Sequence, residues 1–365
     1  MLDIKKGTIV KEIFTRIDVK GYLVKIADKE EKCIVYPDLV GDVNIGDEVL
    51  LNTTAMALNL GSGGYHYVIA NLQMEGKDLS PKGHIMKLRY TPMQLKVLSV
   101  EEEDSPYYEK LSKIDSLGGT PVLVGTLHSM LAPLSLVLKE HSLKIAYIMT
   151  DGAALPIAFS NVVNGLKETG YLEGTITIGH AFGGDLEAVN IYSGLLAAKT
   201  VFEPDVIIVT MGPGIVGTGT KWGFTGIEQG EILNAVATLK GTPVCVPRIS
   251  FADKRDRHKG ISHHTLTVLS QICKVKAIVP LANLAEDKLT YILEQIRSNQ
   301  LLNDYEFILQ NVYSLLAVMQ KSKFNLTTMG RTIDDDPDFF LNLAAAAFTA
   351  IDVINGQKLN KLTLV

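Results

Sequence analysis

The sequence predicts an α/β protein: a doubly wound, mostly parallel sheet that follows a small N-terminal antiparallel β-barrel or sandwich domain. Two observations predict it. Between Gly7 and about Val100, short alternating segments are separated by glycine-containing turns, which is typical of antiparallel strands. Beyond Gly118, near-continuous apolar runs of strand length alternate with stretches long enough for helices, which is typical of a parallel sheet covered on both faces.

The individual elements follow from these two patterns. The alternating segments predict strands in the first domain at residues 8–13, 22–26, 32–36 and 48–51. The apolar runs predict strands in the second domain at residues 121–125, 144–149, 174–178, 205–209, 243–246 and 277–280. The remaining stretches predict helices that include 154–168, 186–200, 227–239, 286–297 and 338–354. Before the last helix, residues 334–337 offer aspartates suited to an N-cap and a proline suited to the first turn.

A charge run with a proline, residues 101–106, interrupts the apolar pattern and is typical of an exposed connector. We therefore expect a small β domain at residues 1–100, a connector at 101–117 and a doubly wound α/β domain at 118–365. A chain of 365 residues with 47% hydrophobic content is long enough to form two domains with large cores.

Composition narrows the class of protein. The three cysteines, Cys33, Cys245 and Cys273, are an odd and widely spaced set, which argues against a disulfide framework and suits a reducing cytosol. The start lacks an apolar signal core and no run approaches eighteen apolar residues, so we expect a cytoplasmic protein without a membrane partner. A formal net charge of -5 makes nucleic acid an unexpected partner. A homo-oligomer is left open.

Several predicted strands of the second domain are followed by polar or glycine-rich segments. Because the carboxyl ends of parallel strands meet at one edge of the sheet, these segments are expected to converge on one crevice, where ligands bind in open α/β sheets. The polar candidates after the first three of these strands are His128, Asp151, His180 and Asp185.

The segment after the fourth predicted strand, residues 211–226, is here called the glycine loop. Its Gly212–Gly217 portion matches the G-x-G-x-x-G dinucleotide pattern, but a helix does not start at once and no acidic residue ends a second strand about twenty positions on. A glycine-rich loop before a helix near Thr225 could still bind phosphate or carboxylate through backbone N–H groups. The alternative is a purely structural loop. The anion-binding candidates in it are Gly212, Gly214, Gly217, Thr218, Gly219, Thr220 and Lys221.

The segment after the fifth predicted strand, residues 250–265, is here called the histidine loop. It holds three of the eight histidines, four lysines or arginines and two aspartates. Metal binding, acid–base catalysis and anion recognition are all open. His263 and His264 are adjacent and point about 100° apart on a helix, so a divalent metal, which remains possible, is expected to need ligands from elsewhere, such as the polar candidates named above. The cofactor is left undetermined.

For catalysis, the candidates are His258 and His264 as proton-transfer groups, Asp253 (or, as an alternative, Asp256) as the carboxylate that orients one of them, and Asp151 as a group that orients substrate or metal. Arg255 is expected to neutralise a bound anion.

Arg257 is expected to share that role. The alternative for both arginines is a surface ion pair with a neighbouring aspartate, which would contribute little to stability. His263 completes the crevice candidates, and its alternative role is to brace the following helix.

The motifs GPGxVGTGT at 212–220 and SxADxRxRHxGxSHHT at 250–265, together with residues 183–189, 328–331 and 336–337, resemble an uncharacterised bacterial family of unknown function. The resemblance covers nearly the whole chain. It implies a cytoplasmic bacterial protein and transfers no catalytic assignment.

The function that the sequence favours is an enzyme that binds a small anionic ligand, phosphate-bearing or nucleotide-like, at the carboxyl edge of the sheet and performs hydrolysis or group transfer. The alternative is a noncatalytic ligand sensor or partner-binding protein. Nucleic-acid binding by the β domain is less expected, because its strands lack dense basic and aromatic interleaving.

Overall fold

The computed structural model describes residues 1–74 and 79–362. The chain divides into two compact units, Met1–Leu98 and Ser99–Val365. The segment predicted as a connector lies in the second unit, where Val100 and Leu117 are buried in the hydrophobic core.

The first unit contains a closed five-stranded barrel in the order β1-β2-β3-β5-β4. Neighbouring strands are antiparallel except β3 and β5, which pair in parallel. Alternate residues point inwards, so Val24, Cys33, Val49 and Leu51 form its core. The strands and short helices of this unit are β1 (Ile4–Thr15), β2 (Lys20–Ile26), β3 (Lys29–Val35), α1 (Pro37–Val40), β4 (Glu48–Asn52), α2 (Thr54–Ala57), β5 (His66–Asn71), β6 (Ile85–Lys87) and β7 (Leu95–Val97).

The second unit is built on an eight-stranded sheet whose strands are all parallel and which helices flank. With the N-terminal barrel, this confirms the predicted α/β fold. Its strand order is β11-β10-β9-β12-β8-β13-β16-β17. The strands are β8 (Pro121–Val124), β9 (Ile145–Thr150), β10 (Gly174–Ile178), β11 (Leu186–Ala188), β12 (Val206–Met211), β13 (Thr242–Cys245), β16 (Ile278–Ala282) and β17 (Glu306–Gln310), and a separate antiparallel pair consists of β14 (Ile249–Ser250) and β15 (Gly260–Ile261).

The helices of the second unit cover apolar strands, and most of them end in polar loops. They are α3 (Tyr108–Leu111), α4 (Leu131–Glu140), α5 (Asn161–Glu168), α6 (Ile191–Ala197), α7 (Glu228–Thr238), α8 (His263–Thr267), α9 (Glu286–Ser298), α10 (Tyr313–Gln320) and α11 (Pro337–Ile354). By length and composition alone α11 could cross a membrane, but 72% of that window is buried inside the protein, as in the core helix of a globular unit.

Two predicted helices begin later than expected, each for a local reason. The helix expected at 154–168 starts at Asn161, because the Ser160 side chain accepts a hydrogen bond from the Val163 N–H and caps it. The helix expected at 186–200 is preceded by β11, and Asn190 forms a capping box with Ser193 before α6 begins.

The last helix, α11, has its proline in the first turn as predicted, but Asp336 at its N-cap makes no side-chain capping bond. Its carboxylate accepts hydrogen bonds from Ser250 and Arg331 instead.

The strand order determines where loops diverge at the carboxyl edge. The chain leaves β9 outwards to β10, whereas it leaves the neighbouring strand β12 in the opposite direction, across β8 to β13. Loops that part in this way open a crevice beside neighbouring strands, which is where ligands bind in open α/β sheets. The glycine loop therefore begins the connection that crosses β8, and the histidine loop lies beyond β13, the strand at which that connection ends.

Candidate functional site

The glycine loop and the histidine loop lie against each other. The Phe224 ring stacks on the His264 ring, with centroids 4.0 Å apart and planes inclined by 2°. A Cβ atom at Gly217 would stand 3.3 Å from Cε1 of His264, and one at Gly219 would stand 3.5 Å from Nη1 of Arg257. The structure therefore brings together two segments that the sequence singled out separately.

Much of the glycine loop is occupied in holding its own shape. The Thr218 N–H donates to the Gly223 carbonyl at 2.8 Å, and the hydroxyls of Thr218 and Thr220 lie 2.9 Å apart. Gly214 has a φ of 100°, in the left-handed region that favours glycine. Gly212 packs closely on the Ala154 carbonyl, where a Cβ atom would stand at 2.5 Å. These residues, together with Gly217, shape the loop.

The two loops border an open cleft of about 550 Å³. The residues of the two loops that line it are Gly219, Lys221, Arg257 and His263. The rest of its lining comes from the end of α8, the turn after it and the end of α9, namely Leu266, Thr267, Ser270, Gln271, Ser298, Asn299 and Gln300. A volume of this size lies within the range of small-molecule sites.

Two cations at this cleft have no carboxylate partner. Across residues 1–74 and 79–362, neither Arg257 nor Lys221 forms an ion pair, although the Lys221 ammonium lies 5.0 Å above the Trp222 ring. Both side chains are exposed. Unpaired cations that converge on a cleft raise the local positive potential and attract anions.

The neighbouring Arg255 is engaged elsewhere. Its Nε and Nη2 atoms donate to the Asp253 carboxylate at 3.0 and 2.9 Å, and Nη2 of Arg248 donates to the same carboxylate at 2.9 Å. The hydrogen bonds from Arg255 hold the pKa of Asp253 well below its usual range. Asp253 is therefore a buried partner for arginines rather than the carboxylate that orients a histidine, and Arg255 is held away from the role of neutralising a ligand.

This ion-pair cluster extends to a distant part of the chain. Arg331 donates from Nε to Asp336 at 3.0 Å, and its Nη2 atom lies 3.8 Å from Asp253. Asp336 is fully buried. The cluster therefore fixes the base of the histidine loop on the segment that precedes α11.

Three histidines meet beside the cleft. The ring centroids of His263 and His264 are 4.2 Å apart, and the His258 ring lies 4.9 and 5.1 Å from them. One nitrogen from each ring lies within 4.8 Å of one nitrogen of each other ring. The third member of the cluster comes from the same loop, not from another strand end.

The histidine rings are held in an environment that favours their neutral form. Burial lowers the pKa of His258 and of His264 to about 3 each, and burial also lowers the pKa of His263. Nearby positive charges act in the same direction: Arg248 and Arg255 on all three rings, and Arg257 on His263 and His264. At neutral pH these three imidazoles therefore carry lone pairs that can bind a proton or a metal.

His128 braces the sheet edge. Its Nε2 atom lies 2.6 Å from Oγ of Ser160, and its Nδ1 atom lies 3.3 Å from the Met211 carbonyl and 3.4 Å from the Tyr147 hydroxyl. Burial lowers its pKa to about 4. These contacts tie the ends of β8, β9 and β12 together through a neutral imidazole.

The Asp151 side chain contacts the backbone of the turn that contains His180. The Asp151 carboxylate accepts a hydrogen bond from the His180 backbone N–H at 2.8 Å, next to Gly179 with a φ of 61°.

Asp185 lies at the other end of β10. Its carboxylate accepts hydrogen bonds from the N–H and hydroxyl of Thr175, both at 2.9 Å, and forms an ion pair with Lys167. Thr175 is at the amino end of that strand, so Asp185 is not part of a crevice at the carboxyl edge. The reason is that the chain after β10 runs straight back to begin β11.

Sequence reasoning missed two residues near this edge. Glu228, at the start of α7, accepts a hydrogen bond from Thr150, and burial raises its pKa to about 7. An acidic residue in the first turn of a helix is also what the helix dipole favours, so Glu228 could not be singled out from the sequence. Arg248, which is buried after β13, stands within an apolar run of the sequence, 243–249.

The fold and the site define a two-unit protein in which an all-parallel α/β unit carries an open basic cleft beside a histidine cluster. The family model described as "Protein of unknown function (DUF3866)" matches residues 32–347. The chain belongs to this family, which confirms the resemblance to a family of unknown function. No curated protein and no solved structure matches the chain.

Proposed function

We propose that the chain binds a small phosphate-bearing anion in the cleft between the glycine loop and the histidine loop, and that it acts on this ligand by hydrolysis or group transfer. The observation that carries the proposal is the convergence of two unpaired cations, Arg257 and Lys221, from the two loops on one cleft of about 550 Å³.

The chemistry of the cleft matches a phosphate group better than a single carboxylate. The guanidinium of Arg257 offers a planar pair of N–H donors, and the ammonium of Lys221 offers a second positive charge from the facing loop. Gly219 lines the same cleft beside Arg257, with a φ of 87° and no Cβ atom, so the backbone is open to close approach. Two cations match the charge of a phosphate dianion.

Catalysis is proposed because the cleft also contains a group that can take part in it. His263 faces the cleft as a neutral imidazole. A bound phosphate would raise the pKa of this imidazole towards neutrality, because an opposite charge nearby favours the protonated form. In the metal-free protein the group would then be suited to proton transfer at physiological pH.

Thermal unfolding of the chelator-treated protein tests the proposal against a panel of pyrophosphate, nucleotides, sugar phosphates, coenzyme A and dinucleotides. A ligand at 100 times its dissociation constant adds about 2.7 kcal/mol to the free energy of unfolding, so the midpoint should rise with one phosphate-bearing class. Ligands that raise it are then assayed for release or transfer of the phosphoryl or other group.

The matched variants are Lys221→Gln at the cleft and Lys254→Gln, an exposed lysine of the histidine loop that does not line it. We expect the first to weaken the ligand's effect and the second to leave it unchanged. A panel without any stabilising phosphate compound contradicts anion binding, whereas saturable binding without turnover supports the sensor alternative.

A further inference from the structure

We propose that His258, His263 and His264 form a binding site for one transition-metal ion of the zinc class. The inference goes beyond the proposed anion binding and does not depend on it, since it requires only the three imidazoles. One ring nitrogen from each of the three lies within 4.8 Å of one from each of the others.

The spacing is close to that of a formed site. In tetrahedral zinc sites, Zn–N bonds of about 2.0–2.1 Å put neighbouring nitrogens about 3.4 Å apart. The three rings therefore need to approach one another by about 1 Å or somewhat more, which side-chain rotations can provide. Two of the ligands are adjacent at the start of α8, and the third, His258, reaches them from the turn before it.

Contacts around the rings already orient them. Nδ1 of His258 lies 2.8 Å from Oγ of Ser262, which leaves its Nε2 atom as the ligand atom. Phe224 stacks on His264 and fixes the plane of that ring. Hydrogen bonds of this kind to the second nitrogen are typical of metal-bound histidines.

An unpartnered nitrogen is the second, independent observation. Nε2 of His263 is buried and has no hydrogen-bond partner among the described residues. A buried polar atom in that state is costly, because it has lost its water without gaining another partner. A metal ion would satisfy it.

The charges near the cluster determine what else the metal would bind. Asp253 offsets only part of the charge of Arg248 and Arg255, and Arg257 forms no ion pair among the described residues, so the arginines around the cluster oppose a cation. His263 also lines the cleft, so an anion there could take a fourth position on the metal and reduce this opposition. Three protein ligands with an open position are the arrangement of catalytic rather than structural zinc sites. Metal and phosphate are therefore expected to strengthen each other's binding by the same factor.

The test uses the full chain, stripped with a chelator and loaded with Zn²⁺ or Co²⁺ in phosphate-free buffer. We expect one metal ion per chain by elemental analysis after gel filtration, and visible Co²⁺ ligand-field bands of a nitrogen-bound, low-coordinate site. Because no phosphate is present, failure here leaves the anion proposal standing, and the chelator-treated assay above tests that proposal without metal.

Three variants make the test specific. His263→Asn removes a partly exposed ligand and should lower Zn²⁺ affinity by about 100-fold or more, while Ser262→Ala should lower it by roughly 10- to 100-fold through loss of ring orientation. His141→Asn, at an exposed histidine outside the cluster, is the control and should bind as the wild type does. Circular dichroism verifies folding of each. Absence of stoichiometric metal in the wild type, or unchanged affinity in folded His263→Asn, would overturn the proposal.

Discussion

Two groups of loops that follow strands of the same sheet differ in how their polar side chains are used. In the loops after β8 and β9, the side chains of His128 and Asp151 are hydrogen-bonded to other parts of the protein. In the loops after β12 and β13, Arg257 and Lys221 face a cleft without a carboxylate partner among the described residues. A polar residue at a strand end is therefore not by itself a sign of a ligand site, and the charge that remains unpaired is the better guide.

The same contrast divides the histidine loop itself. Arg255 and Arg257 are two positions apart, and equal roles were expected for them from the sequence. Only Arg255 is paired with Asp253, because the backbone of the 256–258 turn directs the following arginine towards Gly219. Substitutions in the paired group are expected to change stability, and substitutions in the unpaired group are expected to change ligand binding.

The largest expected effect is on stability, from Asp253→Ala. This change leaves the guanidinium of Arg248, whose side chain is 5% exposed, without its partner. Breaking a buried ion pair in this way costs about 3–5 kcal/mol. Chemical denaturation should show this loss in the free energy of unfolding, while Lys254→Ala on the same loop changes it little. Equal stability of the two variants would show that the cluster does not brace the loop.

A second prediction compares two glycines of the glycine loop that both have positive φ. Gly214→Ala and Gly219→Ala should each cost about 1–2 kcal/mol through backbone strain. Only Gly219 lines the cleft, so only its substitution should also weaken binding of the ligand found in the panel. Calorimetric titration of both variants separates the two effects. Equal loss of affinity would mean that loop shape, and not the cleft, determines binding.

A third prediction concerns pH and Glu228. Burial raises the pKa of Glu228 from 4.5 to about 7, so the folded protein holds this proton more strongly than the unfolded chain does. The resulting stability is fully present below about pH 4.5 and is lost as the pH rises through 7. Glu228→Gln mimics the protonated form, so above pH 7 it should be more stable than the wild type by roughly 1–2 kcal/mol. Denaturation curves at pH 4.5 and pH 8 measure this, and a constant difference between the two would contradict it.

The smallest effect is expected from Ser160→Ala, in the bonded part of the edge. The change removes the N-cap of α5 and the partner of His128, and should cost about 1 kcal/mol. Ligand affinity should not change. Thermal unfolding of this variant measures the loss of stability, and ligand titration measures the affinity. A drop in affinity would show that the site extends towards β8.

Much of the fold could be predicted because its signals are local. The alternation before Val100 and the apolar runs after Gly118 indicate the barrel and the parallel sheet. Other elements have weaker signals: β11 has only three residues, and β17 is an edge strand that begins with Glu306 and ends with Gln310, so its apolar run is only three residues long. The start of α6 depends on a capping box around Asn190. It was not predicted, because the residues before it also have a helix-forming composition.

The site was only partly predictable, because its chemistry depends on contacts between distant segments. The glycine and histidine loops stand out by composition, but the partners of Asp253 include Arg331, far along the chain. The meeting of His258 with His263 and His264 depends on the turn between them. No residue pattern states which arginine is left unpaired, since that follows from the folded positions of Asp253 and Asp336.

The most direct test of the central claim is calorimetric titration of inorganic pyrophosphate into the chelator-treated wild type, Arg257→Gln and Arg255→Gln. The account predicts that Arg257→Gln binds at least about tenfold more weakly, a difference of about 1.4 kcal/mol, and that Arg255→Gln binds as the wild type does. Wild-type protein that binds neither pyrophosphate nor any other phosphate compound of the panel, or an Arg255→Gln variant that loses as much affinity as Arg257→Gln, would contradict it.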